Sequence, residues 1–321
     1  MKDQNDIRAV EKAQEDIRKL RQEIQKVIVG QDEVIDQLLM TLLCDSHALL
    51  EGVPGLAKTL LVRTIARAID LRFKRIQFTP DLMPSDIVGA EVLTERNEFV
   101  IRKGPIFANI ILADEINRAP PKTQSALLEA MQERQVTIGG QTFKLERPFF
   151  VLATQNPIEQ EGTYPLPEAQ LDRFMMYILI DYLPYEQEVE MVKRTILSEL
   201  QQVSQVISEA DIINAQKAVR AIPVTDHVVE YAVKLTHRTR PQSSNAPEIV
   251  KRYVEFGAGP RASQFLVLAG MAHAFLNGKL SPDEEDIKAV AKPVLRHRIV
   301  RNYRAEADGI SPDEIIADLI K

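Results

Sequence analysis

Three short stretches of this 321-residue chain carry side chains that could act together on a phosphate anhydride. The first is Gly52-Val53-Pro54-Gly55-Leu56-Ala57-Lys58-Thr59, followed by Leu60 and set between an apolar run and a helix-forming segment. A glycine-bearing loop that opens a helix turns successive backbone amides and the helix N-terminus toward an anion. In such a loop Lys58 reaches β- and γ-phosphates, and the Thr59 hydroxyl suits Mg²⁺. The glycine that usually precedes the lysine is Ala57 here. Alanine tolerates positive φ poorly, so right-handed, helical dihedrals are expected at that position.

The second stretch, Asn109-Ile-Ile-Leu-Ala-Asp114-Glu115, is an apolar strand ending in two acids. Alternation along a strand sends neighbouring side chains apart, so the two carboxyls can divide the labour. Asp114 suits a metal held through water, and Glu115 suits orienting and deprotonating an attacking water. The third is Asn156, at the carboxyl end of the run Phe149–Asn156, where α/β sheets place their ligands. Alone, Asn156-Pro157 reads sooner as a turn.

Five apolar runs supply the frame for these groups: 47–51, 73–78, 109–114, 149–156 and 175–182. Near-continuous apolarity is the habit of parallel strands buried on both faces. Helical patterns lie between most of them, with Leu61, Thr64, Ile65, Ala68 and Ile69 on one face of the segment after Lys58. A run of helix formers at 123–134 follows Pro120-Pro121. The alternation predicts a parallel, five-stranded α/β nucleotide-binding core over 1–186, opening on an amphipathic helix at 6–28. Gly139-Gly140, flanked by alternating residues, predicts a β-hairpin inserted at 134–147. From Tyr185 onward the pattern is wholly helical, predicting an all-helical lid over 187–321 with a polar loop at 240–247, read as mobile. Ser281-Pro-Asp-Glu and Ser311-Pro-Asp-Glu each read as an N-cap serine, first-turn proline and returning glutamate.

Composition excludes several classes. With 45% hydrophobic and 27% charged residues the chain has material for a full core, and its net charge of −6 argues against a nucleic-acid partner. One cysteine, Cys44, allows no intramolecular disulfide and fits a reducing cytosol; a charged N-terminus without an apolar run is not a secretory leader, so a cytoplasmic location is expected. No stretch is long and apolar enough to span a bilayer. Cys44 and His47 share a C-x-x-H spacing without a second pair, so both are expected to pack near the first strand. The other histidines are scattered through the helical part. The basic stretch Leu295–Arg304 reads as a solvated or ring-contacting face.

The run from Ile111 to Met131 (ILADEINRAPPKTQSALLEAM), the loop at 52–59 and Thr154-Gln-Asn-Pro157 together resemble the signature of the MoxR family of AAA+ ATPases, over roughly residues 20–300. Ala57 is ordinary among those relatives. The resemblance implies ATP and Mg²⁺ as cofactors and ATP hydrolysis as the reaction. It makes Val29 and Gly30 part of the adenine pocket, Arg173 (in Leu166–Phe174) the arginine finger given to a neighbouring subunit, and Arg261 (in Gly259-Pro-Arg-Ala262) a lid residue touching the γ-phosphate. It also marks 86–103 as an insertion within the second helix and 134–147 as a pre-sensor-1 hairpin, both facing the pore of a ring. A hexameric homo-oligomer is implied, with a chaperone-like role in maturing a protein client or inserting its cofactor or metal. The usual client is a von Willebrand factor A domain protein. Arg118 and Glu161 lie near these motifs without an assigned role. The same motifs would serve a nucleic-acid motor or an ATP-holding scaffold; the acidic balance disfavours the first, and intact Glu115 and Arg173 the second.

Overall fold

The computed structural model describes residues 4–53, 55–157, 162–197 and 202–321. In chain order its strands are β1 (Ala48–Glu51), β2 (Phe73–Gln77), β3 (Gly89–Leu93), β4 (Phe99–Lys103), β5 (Ile110–Asp114), β6 (Gln135–Ile138), β7 (Gln141–Lys144), β8 (Phe150–Gln155), β9 (Met176–Leu179), β10 (Val254–Phe256) and β11 (Val300–Arg301). Five of them form one parallel sheet in the order β2-β5-β8-β1-β9. Alternation along these strands feeds two cores. Ala48, Leu50, Ile110, Leu112 and Leu152 enter one, while Leu49, Ile111, Ala113, Val151 and Ala153 enter the other. This accounts for the continuous apolar runs: the three inner strands, β5, β8 and β1, have no solvent face to mark.

The edge strand β2 departs from that expectation, because Lys74 and Arg75 are exposed and Ile76 alone is fully covered. An edge strand has a neighbour on one side only, and its polar positions become available for chemistry. The inserted hairpins are β3–β4, after a short helix Pro84–Val88, and β6–β7, whose turn residues Gly139 and Gly140 both have positive φ.

The first core continues beyond the sheet. The helix Lys58–Ile69 buries Leu61, Ile65 and Ala68 in it, and the opening helix Gln4–Val27 adds Ile17, Leu20 and Ile24. The same cluster takes in Ile212, Ala232, Leu266 and Val290 from the carboxyl-terminal helices, so one apolar body joins the sheet to the helical part. Each fully buried Leu, Ile or Val among them contributes about 1.5–3 kcal/mol. His47, just before β1, is buried beside Phe149; its Nε2 meets the Met131 carbonyl at 3.2 Å and its Nδ1 accepts from the Val151 amide at 3.0 Å. Burial, reinforced by Arg134, lowers its pKa to about 3, so the ring is neutral and both nitrogens are spoken for. Burial pushes the Cys44 thiol up, and its Sγ donates to Leu268 O.

Three readings of the helical part are corrected. A short antiparallel pair, β10–β11, interrupts it; two or three residues are too few to show a period of two. Ser311 does cap its helix reciprocally with Glu314, but Ser281 does not: the cap is Asp283, which exchanges bonds with Asp286, and the Ser281 hydroxyl donates to Pro223 O instead. Nor is 295–304 simply a solvated face. Arg296, His297 and Arg298 are turned inward against the sheet. No helix among the described residues is long and apolar enough to cross a membrane.

Candidate active site

The loop after β1 delivers Lys58 to the start of its helix. Gly55 has φ +90°, a conformation L side chains enter at a cost, and a β-carbon on Gly52 would sit 2.7 Å from the Ile180 carbonyl oxygen. Ala57 overturns the dihedral expected for it. It takes φ +54° and ψ +22°, left-handed, because the loop must reverse before the helix can begin. That conformation costs an alanine roughly 1–2 kcal/mol. Pro54 lies outside the described residues, and Val53 continues the loop from β1.

Residues 55–60 form one wall of a cavity of about 380 Å³; Arg75, Asp114, Glu115, Thr154, Gln155 and Asn156 form the other. That volume lies within the range of small-ligand sites. Lys58 is half-buried and donates to the Gly52 carbonyl. Burial lowers its pKa, while Asp114, Glu51 and Glu115 pull it back toward the charged form. Both acids at the end of β5 face this cavity. They are separated by a left-handed turn at Glu115, φ +56°, rather than by strand alternation alone. Thr154 of β8 links them: its hydroxyl donates to Asp114 Oδ1 at 2.6 Å and accepts from the Glu115 amide at 2.9 Å. Gln77 Nε2 and Arg118 Nη1 both donate to Glu115 Oε2, at 2.8 and 3.0 Å. Asn156 is buried and lines this cavity and a neighbouring one shared with Glu51 and Thr163. Glu51 itself accepts from the Tyr177 hydroxyl.

Arg173 and Arg261 are elsewhere. They line a separate cavity of about 200 Å³ with Asp45, Arg134 and Phe265, and among the described residues none of the helical part lines the Lys58 cavity. Arg261 Nη1 donates to Asp172 Oδ2 at 3.0 Å. From the other side the same carboxylate accepts from Arg298 Nε at 2.8 Å. Arg298 is 2% exposed, and its remaining N–H groups reach the carbonyls of Asp172, Phe174, Met175 and Val294. Burial lowers its pKa to about 10, with Asp172 opposing the shift, so it stays charged at neutral pH. Within one chain, Arg261 therefore sits with Arg173 and not above the P-loop.

Residues 47–176 match the ATPase family associated with various cellular activities, and residues 246–319 match the AAA lid domain. The chain is 47% identical to the chaperone MoxR1 of Mycobacterium tuberculosis over 92% of its own length and 78% of that protein. It is 42% identical to the uncharacterized protein YeaC of Bacillus subtilis, covering 92% and 91% of the two chains. A crystal structure from Cytophaga hutchinsonii, named a putative ATPase, superposes with a TM-score of 0.91 at 46% identity, over 98% of this chain and 96% of that one. The chain belongs to the MoxR family of AAA+ ATPases.

As a chaperone-like MoxR ATPase it binds ATP and hydrolyses it, and the groups that motif spacing and family resemblance brought forward divide between two sites. Lys58, Thr59, Asp114, Glu115 and Asn156 share one cavity; Arg173 and Arg261 share the other. Val29 and Gly30 lie just past the opening helix, where a side chain on Gly30 would run into Gln187. Glu161 lies outside the described residues. Sequence reasoning missed Arg75, Gln77, Thr154, Asp172 and Arg298. For the first two a signal existed, since Lys74-Arg75-Ile76-Gln77 is a polar interruption in an otherwise apolar set of strands.

Proposed function

We propose that this MoxR ATPase works as a homo-oligomeric ring in which each nucleotide is held by one subunit and completed by the next. One observation carries the reading: the P-loop cavity and the Arg173–Arg261 cavity are separate places on the same chain. A head-to-tail contact that repeats and closes makes a ring, and it would bring one face to the other.

The donor set fits ATP with Mg²⁺. The open space beside Gly55, the Lys58 ammonium and the amides opening its helix suit a triphosphate. Among the described residues no three His, Cys, Asp or Glu side chains gather at one point, which suits an ion held by phosphate, one hydroxyl and few carboxylates. Thr59 would hold Mg²⁺ directly and Asp114 through water; when bound, the ion would neutralise charge on the phosphates. Glu115, fixed by Gln77 and Arg118, orients a water and takes its proton. Asn156 holds that water or the γ-phosphate from behind. Val29 and Gly30, with Gln187 against them, border the adenine. Arg173 of an adjoining subunit stabilises the transition-state charge, and Arg261 reaches the same phosphate from that subunit rather than from its own lid.

Work on a client would leave through the hairpins. Leu93 and Phe99 at the end of β3–β4 are 56% and 68% exposed, an apolar tip suited to a protein partner. Family resemblance supports a hexamer, a client of the von Willebrand factor A kind, and maturation or cofactor insertion as the task. The test is turnover per subunit across a dilution series followed by light scattering. Activity should fall in step with loss of the assembly; constant specific activity in a proven monomer would end this reading.

A further inference from the structure

Arg75 is the cationic side chain of the P-loop cavity that neither the nucleotide motifs nor the arginine face explains. It stands on the sheet's edge strand, two residues before Gln77, which lies in register with Asp114. Its Nε and Nη2 both donate to Asp114 Oδ2, at 3.0 and 2.6 Å, and Nη2 also donates to Gln77 Oε1 at 2.6 Å. Asp114 Oδ1 is engaged by Thr154. An ionised carboxylate offers about four acceptor positions. Three of those on Asp114 are therefore taken by protein donors, two of them by one guanidinium.

Resting on the metal role assigned above to Asp114, we propose that Arg75 is an internal competitor for that carboxylate, and that loading of Mg²⁺–nucleotide is an exchange of cations on Asp114. A hydrated metal ion needs acceptors on Asp114 for its waters, and Arg75 covers the oxygen that Thr154 leaves open. Exchange is feasible because Arg75 is about half exposed on an edge strand, so the guanidinium can swing into the cavity mouth without unpacking the core. Exposed or half-exposed ion pairs are weak, which makes the pair displaceable rather than a permanent block. The bond from Arg75 to Gln77 gives the exchange a second effect. Gln77 also holds Glu115 through its other amide atom, so once Arg75 leaves, Gln77 keeps Glu115 as its partner and the catalytic carboxylate stays positioned as the phosphates arrive.

The experiment titrates Mg²⁺ against equilibrium binding of a ribose-labelled fluorescent ATP analogue, with Mn²⁺ binding by electron paramagnetic resonance as a second readout. Arg75→Gln should lower the half-saturating Mg²⁺ concentration by on the order of fivefold, and Arg75→Lys, which keeps the charge but not the paired donors, should fall between. Binding measured with excess chelator should be unchanged. Equal or higher Mg²⁺ demand in Arg75→Gln would overturn the proposal and make Arg75 a prop for Asp114 or a phosphate ligand. Asp114→Asn separates the two layers: if it leaves Mg²⁺ dependence untouched, the metal assignment of Asp114 has failed, whatever Arg75 does.

Discussion

The two functional faces of this molecule are built in opposite ways. The P-loop face is built within the sheet: residues 55–60 come from the loop and helix start after β1, and Asp114 and Asn156 from the ends of two adjacent strands. Its acids are held by Thr154 and Gln77 of neighbouring strands, 40 and 38 residues away, and by Arg118, 3 residues on. The arginine face is assembled over distance. Asp172 is gripped by Arg261, 89 residues on, and by Arg298, 126 residues on. On the ring reading proposed above, the nucleotide would be grasped by a structure the core makes alone, whereas Asp172, next to the proposed finger Arg173, is held by the helical part. Movement of that part would change the neighbour's catalysis before it changed the chain's own grip on nucleotide.

The sharpest way to break this comparison uses the catalytic groups themselves. Glu115→Gln should abolish hydrolysis while retaining ATP binding, and Arg173→Ala should lower kcat by about 10³–10⁵ with KM little altered. Mixed in equal amounts before assembly, the two inactive variants should recover activity in about a quarter of sites, those where an intact Glu115 faces an intact Arg173. If the mixture stays as dead as its parts, the faces do not meet.

The second effect falls on stability. Arg298→Met leaves Asp172 with Arg261 alone and strips four backbone carbonyls of a donor. Removing one partner of a buried pair costs about 3–5 kcal/mol. A comparable truncation of the exposed Arg72–Glu146 pair should cost about 0–1 kcal/mol. Urea midpoints of the two variants test the contrast directly. Near-equal midpoints would show that the arginine face is not anchored through Arg298.

How much of this was legible in the sequence follows the same division. The five-stranded sheet, the hairpin at Gly139-Gly140 and the P-loop acids were readable because contiguous residues with a fixed period make them. Asp172 and Arg298 were not, since nothing near either residue announces a partner more than a hundred positions away. Ala57 was misread for a different reason: propensity disfavours left-handed alanine, but the loop's path to the helix decides the dihedral. His47 was readable only as a residue near the first strand. Its neutral, doubly bonded ring depends on Met131 and Val151.

That ring, which lines the Arg173–Arg261 cavity, gives a smaller, pH-dependent effect. The folded pKa of about 3 lies below the unfolded value of roughly 6.5, so below pH 6.5 the unfolded chain binds the extra proton. Stability present at pH 7 is therefore lost as pH falls through 6.5 toward 3. Between pH 7 and 5 His47 alone should account for about 2 kcal/mol, and His297, shifted the same way by burial, adds to it. In His47→Gln the slope of stability with pH should shrink by that share; an unchanged slope would mean the ring protonates without unfolding.

The smallest effect compares two copies of one tetrapeptide on the helical part. Ser311-Pro-Asp-Glu and Ser281-Pro-Asp-Glu look alike, yet only Ser311 accepts from the amide three residues on, Glu314 N, while Glu314 returns bonds to the Ser311 backbone and hydroxyl. At the other copy an acid lies three residues after Asp283, so a second reciprocal pair competes, and Asp286 also gathers His273 and Lys279. The better-connected pair wins, and the helix starts at Glu284. Ser311→Ala should thus cost about 1 kcal/mol, the ordinary worth of a cap, whereas Ser281→Ala should stay within roughly 0.5 kcal/mol. Matched thermal or urea unfolding of the two variants decides it. Equal losses would mean that Ser281's bond to Pro223 matters as much as a cap, and that sequence pattern had outweighed the partner set after all.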